Sequence, residues 1–468
     1  MCRLVTGFAK RQFPMHFPPD AVLLPVSRGA LLVSVSHAVF CPIPHSELGA
    51  VWEILSGRGS VMDLSTGLVE SMRDHGIFAP PQPVEPNHPV VQIQLTNACN
   101  LDCAYCCTNS GVARPSEITF ADVQHVLSET NRLLGPSTQI ALLGGEPLLV
   151  PWALDAADLA LDIGFDLTLF TNGLPLVSSD LAQRAAMCMA RGMELRVSLA
   201  GPTPDLCDAA SGAPRFAQVI AAIHAMVALG GQPIVDLMLL PEHVEQCGKH
   251  LPSLRSLLPP DVVVCIGLAY LSGRERGQHV FPTRQTLEAA MDYIAFEAGE
   301  VIPGPKLSPK TKRRDGCGCA LGHRINVRSD GALFTCFKME ECVGHLRDGF
   351  VEVLRAVMAD PHPANTLDTC KDCPLVSLCG GGCRSDNFLY TADPNRPLCD
   401  TWRVQVLAEL LFEDNVHAIT WPAHHLLAEA HARNIPSPTS LQPARNSLNL
   451  CDVPIARLTS RNSTRRRP

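Results

Sequence analysis

The sequence predicts an α/β protein: a partial or full barrel of six (β/α) units, preceded by a small α+β module and followed by a cysteine-rich domain. Three observations predict it. From residue 90 to residue 268, apolar runs of strand length alternate with segments of helical period, the pattern of a parallel sheet covered by helices. Before them, residues 20–75 carry short strands and then two helices, closed off by the Pro-rich segment 79–86, which has linker composition. After them, residues 301–400 gather cysteine, glycine and proline with weak periodicity. Such a segment is expected to build little core and to be held together by metal.

Taken in order, strands are expected over residues 21–26, 30–36 and 38–44, where apolar runs are separated by turn residues, and helices over 46–55 and 64–75. The barrel strands are expected over 90–95, 139–143, 167–171, 195–199, 233–240 and 262–268, with helices over 120–134, 152–163, 179–191 and 216–229. Loops at the C-terminal ends of such strands carry the chemistry, and the motifs below fall there. Residues 401–435 regain a helical stripe of Trp402, Val406, Leu407, Leu410 and Leu411, and the chain beyond Pro436 has the composition of a disordered tail. The expected domains are residues 1–88, 89–300, 301–400 and 401–468, with no internal repeat.

A chain of 468 residues exceeds one ordinary core. Its 20 cysteines would mean disulfides in a short secreted protein. Here the first eleven residues have no apolar core, and no run approaches the roughly 18 apolar residues of a membrane span. A cytoplasmic location with reduced, metal-binding thiols is therefore expected, and no membrane partner. The net charge of −8 gives no reason to expect nucleic acid, and the basic residues 465–467 have the character of a solvated terminus.

The motif that carries most information is Cys99, Cys103 and Cys106, spaced CxxxCxxC with Tyr105 before the last cysteine. An iron–sulfur cube normally takes four thiolates, since soft sulfide-bridged iron prefers soft anionic sulfur. Three ligands leave one iron open to another molecule. A zinc knuckle, or three small buried thiols, are the plain alternatives. Gly144-Gly145-Glu146-Pro147 follows the second expected barrel strand, where two glycines permit close backbone approach and a carboxylate can accept from a cation. Asn172 stands in the turn Thr171-Asn172-Gly173 after the third strand, and Ser198 in Val197-Ser198-Leu199-Ala200-Gly201-Pro202 on the fourth.

Together these motifs resemble those of the radical S-adenosylmethionine (SAM) enzymes, whose fold is a partial TIM-like (β/α)6 barrel. The resemblance implies that Cys99, Cys103 and Cys106 hold one 4Fe-4S cluster and that the methionine amine and carboxylate of SAM chelate its open iron. It further implies that Gly144, Gly145, Glu146 and Pro147 bind the SAM ammonium, that Asn172 lies in the polar turn, and that Ser198 contacts the ribose. Ala200 departs from the family, which usually has Asp there. Cys107, beside Cys106, is not counted as a ligand.

Further on, Cys319 is followed by eleven residues, Gly331, four residues and Cys336, and then by Cys370, Cys373, Cys379, Cys383 and Cys399 in the arrangement CX2CX5CX3C…C. This resembles the SPASM domain, which carries two auxiliary 4Fe-4S clusters. The resemblance implies that Cys370, Cys373, Cys379 and Cys399 hold the outer cluster and Cys319, Cys336 and Cys383 the inner one. Cys317 is the candidate for its fourth ligand; an open iron is the alternative. The resemblance covers about residues 90–400. The first 88 residues are similar to the small leader-binding module of peptide-modifying members, and a plain cap on the barrel fits them as well.

The function implied is that of a radical SAM peptide maturase, of the kind that processes ribosomally made precursor peptides. It would cleave SAM reductively to a 5′-deoxyadenosyl radical and abstract hydrogen from the precursor. The carbon radical would then be oxidised through the auxiliary clusters to form a thioether, ether or carbon–carbon crosslink. The partners implied are the precursor peptide and an electron donor such as flavodoxin or ferredoxin. An anaerobic sulfatase-maturing enzyme, which makes formylglycine, is the nearest alternative; it has Asp directly after the second auxiliary cysteine, where this chain has Phe337. A non-catalytic iron–sulfur electron-transfer or scaffold protein is the alternative of another class. No catalytic base is assigned: Asp330, Lys338, Glu340, Glu341 and Asp386 lie near the cysteines, where charges at turns are usually solvated.

Overall fold

The computed structural model describes residues 16–81 (except 27, 28 and 35), 89–269, a few positions between 273 and 297, 323–336, 342–359, 366–371, 373 and 376–397. The expectations for residues 401–468 and for Cys317, Cys319 and Cys399 lie outside these residues.

The N-terminal unit is an antiparallel sheet of β1 (Ala21–Val26), β2 (Gly29–Ser34) and β3 (Val39–Pro44), followed by α1 (Leu48–Leu55) and α2 (Thr66–Asp74). It has its own core: Leu32, Val39, Cys41 and Ile43 of the sheet pack on Val51, Leu68 and Met72 of the helices. The β2–β3 connection is tied down by Asp20, whose carboxylate accepts from the hydroxyls of Ser34 and Ser36, both at 2.8 Å.

The larger unit alternates strand and helix. Its elements are β4 (Val90–Gln94), α3 (Phe120–Leu134), β5 (Gln139–Leu143), α4 (Ala153–Ile163), β6 (Asp166–Thr171), α5 (Ser179–Ala190) and β7 (Glu194–Leu199). Then come α6 (Pro204–Ser211), α7 (Phe216–Ala228), β8 (Ile234–Leu239), α8 (Val244–Leu257) and β9 (Val263–Leu268). Strands β4 to β9 pair in sequence order and all in parallel. Local chemistry starts and stops these elements. Thr119 and Asp122 form a reciprocal cap at the start of α3, and Gly164 ends α4 in the left-handed region at φ 93°.

Alternation along each strand separates two faces. Val91, Ile93, Ile140, Leu142, Leu167, Leu169, Leu195, Val197, Leu199, Val235 and Leu237 belong to the core shared with the helices. Gln92, Gln94, Thr168, Phe170, Arg196, Ser198 and Asp236 therefore stand on the other, inner face. There the Arg196 guanidinium donates to Asp236 at 2.8 Å and to Glu194 at 3.3 Å, and lies 5.6 Å from the centre of the Phe170 ring.

One expectation for residues 301–400 is corrected. This segment does build core. Strands β10 (Arg324–Val327), β11 (Ala332–Phe334) and β12 (Cys342–His345) extend the barrel sheet to nine strands in the order β12-β11-β10-β4-β5-β6-β7-β8-β9. Strand β10 runs parallel to β4, with Ile325 opposite Val91 and Val327 opposite Ile93. Ile325, Val327, Leu333 and, from α9 (Leu346–Ala359), Leu346, Phe350 and Leu354 join the barrel core. Short strands carry little period of their own, so only pairing with β4 reveals them.

Candidate functional site

The three cysteines sit on the loop that leaves β4, and this loop is held from four directions. Behind it, the Glu117 carboxylate accepts from Thr96 Oγ1 at 2.6 Å and from the Asn97 amide at 2.7 Å. Within it, the amide of Cys99 donates to Gly111 O and that of Gly111 to Asn97 O, both at 2.9 Å. To one side, Asp102 and Ala104 donate to the last carbonyls of α6, Ser211 O at 3.2 Å and Ala210 O at 3.3 Å. From beyond β9, Gly273 and Arg274 close over it. Arg274 donates from its guanidinium to Cys103 O at 2.7 Å and to Ser110 O, pairs with Asp102 at 2.7 Å, and donates from its amide to Cys106 O at 2.9 Å. Gly273 lies at φ 91°, where a Cβ would stand 2.1 Å from Cys106 O. Only glycine fits there.

Cys99, Cys103 and Cys106 are all half-buried. Burial pushes the Cys99 thiol up to about 11, and negative charge on Glu146, Cys103 and Cys106 pushes in the same direction. Burial likewise raises the Cys103 thiol, so negative charge on these two sulfurs is favoured by a cation beside them. The donor set is soft and confined to one loop, which fits an iron–sulfur cluster rather than a hard cation.

Gly144 and Gly145 serve closeness of backbone to backbone. A Cβ on Gly145 would stand 2.3 Å from Ala98 O, and one on Gly144 2.9 Å from Thr96 O. The amides of Gly145 and Glu146 donate to Thr96 O and Ala98 O, both at 2.8 Å. The turn after β5 is thereby stitched to the cysteine loop. Glu146 is wholly buried. Its carboxylate accepts from Leu148 N at 3.0 Å, Thr171 Oγ1 at 2.8 Å and Asn172 N at 2.7 Å, so it clamps the turn after β6. Burial pushes this carboxyl up to about 7, against those hydrogen bonds, which pull it down. Pro147 starts a short 3-10 turn.

Asn172 is the hinge between the motifs. Its side-chain nitrogen donates to Asn100 Oδ1 at 2.7 Å and lies 4.0 Å from Cys99 Sγ. Ser198 stands on the inner face of β7. Arg215, almost completely buried, donates to Asn172 O at 3.0 Å and to Ser198 O at 2.6 Å. It thereby ties together the ends of β6 and β7. Ala200 is fully buried in the barrel core, a setting in which an unpaired carboxylate would be costly.

Among the later cysteines, Cys336 is buried with its sulfur 3.2 Å from Ser385 Oγ, two residues beyond the buried Cys383. Cys370 and Cys373 share one turn, the Cys373 amide donating to Cys370 O at 3.0 Å. Cys379 ends a short helical turn, Val376–Cys379. Gly380, Gly381 and Gly382 follow at φ 67°, 73° and 71°. Three successive left-handed residues are open to glycine alone. Gly331, at φ 86°, makes the β10–β11 turn, with a Cβ position 2.8 Å from the His345 ring. Other cysteines are plain core: Cys188 and Cys247 are buried, and burial pushes both thiols up to about 12.

Sequence reasoning missed Glu117, Arg215 and Arg274. Nothing local marks Arg215 or Arg274. Both act on carbonyls remote in sequence.

The three cysteines thus share one loop at the C-terminal mouth of a barrel, with buried polar turns on β5, β6 and β7 beside it; among the described residues no three Cys, His, Asp or Glu side chains are gathered as closely as a bound metal ion needs. The radical SAM superfamily profile matches residues 93–247. The chain is 32% identical over 140 residues to the mycofactocin maturase MftC of Mycobacterium ulcerans (strain Agy99), an alignment spanning 29% of this chain and 36% of that one. It is 24% identical over 321 residues to the PqqA peptide cyclase of Streptomyces rochei, covering 64% and 85% of the two chains. In fold it is similar to Streptococcus suis SuiB, whose crystal structure contains the precursor peptide SuiA. The TM-score is 0.50 at 13% identity, over 82% of this chain and 99% of that one.

Proposed function

Starting from residues 93–247 as a radical SAM domain, we propose that this chain is a peptide maturase acting on a ribosomally made precursor. The observation that carries this reading is the stitching of the cysteine loop to the Gly144–Pro147 turn and to Asn172, beside a likeness to proteins named as a maturase and a peptide cyclase.

In this reading Cys99, Cys103 and Cys106 hold a 4Fe-4S cluster, and the Gly144–Pro147 turn, Asn172 and Ser198 line the seat of SAM. Bound there, that pair would supply the radical chemistry that removes a hydrogen atom from the peptide. The chain's own residues fix geometry. Arg274 and Glu117 hold the cysteine loop from its two sides. Glu146 fixes the turn that carries Asn172, and Arg215 keeps Ser198 at a set distance from it. Cys370, Cys373, Cys379 and Cys399 would hold an outer auxiliary cluster, and Cys319, Cys336, Cys383 and Cys317 an inner one. These would accept the electron released when a thioether, ether or carbon–carbon crosslink closes. Among the described residues β1 and β3 are the outer strands of the N-terminal sheet, and a leader peptide would add beside one of them as a further strand. Flavodoxin or ferredoxin would supply the reducing electron, in the cytoplasm.

The test is anaerobic incubation of the reconstituted protein with SAM, dithionite and short peptides encoded beside its gene. The expected result is 5′-deoxyadenosine together with a peptide lighter by two hydrogen atoms. A fully reconstituted protein that forms no 5′-deoxyadenosine excludes every radical reading. Formation of 5′-deoxyadenosine with no peptide product excludes those peptides as substrates.

A further inference from the structure

We infer that the inner face of β4 and β10 is a seat for peptide-backbone amides, built from Gln92, Gln94, Arg324 and Asn326. The inference rests on the peptide-substrate reading and names the part of the barrel that would hold the acceptor segment.

The placement follows from alternation and register. Val91 and Ile93 on β4, and Ile325 and Val327 on β10, point into the helix-covered core. Gln92 and Gln94, and Arg324 and Asn326, therefore share the opposite face. The strands are parallel neighbours, with Asn326 directly opposite Gln92 and Arg324 opposite Val90. Gln94 closes β4, five positions before Cys99, so this face runs up to the cysteine loop.

The chemistry of the face is unusual for a barrel interior. Gln94 is 4% exposed and Asn326 5% exposed. Among the described residues, Gln92 Oε1, Gln94 Nε2, Asn326 Oδ1 and Arg324 Nε are buried with no hydrogen-bond partner. The amide nitrogen of Asn326 is already engaged, donating to Phe334 O at 3.3 Å, which fixes its oxygen as the free end. Buried polar atoms in folded proteins are nearly always paired, because a lone one forfeits its hydration with nothing in return. Two acceptors and two donors left open on two adjacent strands are the complement of an extended peptide, which offers N–H and C=O groups in alternation. Carboxamides suit that task, since each carries the same donor and acceptor as the peptide bond. A charged or apolar ligand would leave some of these groups unmet.

The experiment uses the reconstituted, cluster-loaded protein under anaerobic conditions and the diamide N-acetylglycine N-methylamide as probe, with adenosine as comparison. Binding is read by saturation-transfer NMR titration in the wild type and in the variants Gln94→Met and Asn326→Leu. The expected result is saturable diamide binding, weakened about 3- to 10-fold in each variant, the loss of one hydrogen bond. Gln94→Met should melt at or above the wild-type temperature, because Gln94 Nε2 bonds nothing in the free protein, whereas Asn326→Leu also gives up the bond to Phe334 O and is read by its diamide affinity alone. Three outcomes overturn the seat: no saturable binding by the wild type, with ordered water as the only partner; variants that melt lower with diamide affinity unchanged; or variants that lose adenosine affinity but keep the diamide. SAM cleavage by the same preparation is measured alongside. Its absence removes the radical reading, whereas cleavage without diamide binding removes only this seat.

Discussion

At the scale of residues, the chain separates ligands from the groups that hold them. Replacing Cys99, Cys103 and Cys106 by Ala together is expected to remove about four irons per chain, the content of one cluster, and to abolish SAM cleavage. Iron analysis alongside 5′-deoxyadenosine measurement checks this, and undiminished cleavage would refute the ligand set. Arg274 acts one step back, on the carbonyls of Cys103 and Ser110 and on Asp102. Arg274→Met should release the loop at a cost of ~2 kcal/mol. Iron incorporation should fall and the Kd for SAM rise, while the thermal unfolding of the barrel hardly changes. Glu146 makes a prediction with a sign. Its carboxyl is raised from 4.5 to about 7 by burial. Between those values the unfolded chain has shed the proton and the folded chain still holds it, so stability falls as pH rises and the loss is complete above about 7. Urea denaturation of the SAM-free protein across this range should show the decline. Glu146→Gln should flatten it; an identical slope in the variant would mean that another group titrates.

At the scale of elements, the turns decide what the strands present. Two of the turns that end barrel strands are fastened to the turn of the preceding strand: that of β5 to the cysteine loop through Gly145, and that of β6 to the β5 turn through Glu146. The left-handed run Gly380-Gly381-Gly382 does the corresponding job between Cys379 and Cys383. Gly381→Ala would force a Cβ into a left-handed position, at roughly 1–2 kcal/mol. The expected result is lower total iron with the SAM-binding cluster retained, read as surviving 5′-deoxyadenosine formation. Unchanged iron content would show that this run does not shape the auxiliary site. The sequence located the barrel strands and the helices α3, α4, α5 and α7 to within a residue or two, because period and capping are local signals. It missed α6, which is short and opens on Pro204, and α8, whose interior Pro252 interrupts the pattern.

At the scale of the whole molecule, two cores matter. The N-terminal sheet and helices bury their own apolar set, separate from that of the barrel. Removal of residues 1–81 is therefore expected to leave SAM cleavage intact. It should weaken the apparent affinity for a leader-bearing peptide by about tenfold or more, which is ~1.4 kcal/mol. Equal affinity in the truncated protein would assign this unit to capping rather than recruitment. In the cysteine-rich segment, by contrast, the strands β10 to β12 and α9 belong to the barrel unit: β10 lies beside β4 and its apolar residues share the barrel core, while Leu367, Cys370 and Val376 form a small cluster of their own.

By itself, the sequence determined the alternation of strands and helices, the three-cysteine loop and the glycine turn beside it, since each depends on residues within one turn or one strand of each other. Only the tertiary structure decided that Arg215 and Arg274 fasten those turns, that Glu146 faces inward to hold Asn172, and that β10 completes the sheet beside β4. The reason is physical. A hydrogen bond from a guanidinium to a carbonyl more than a hundred residues away, as from Arg274 to Cys103, leaves no periodic trace in the chain, and a four-residue strand gains its identity only from the neighbour it pairs with.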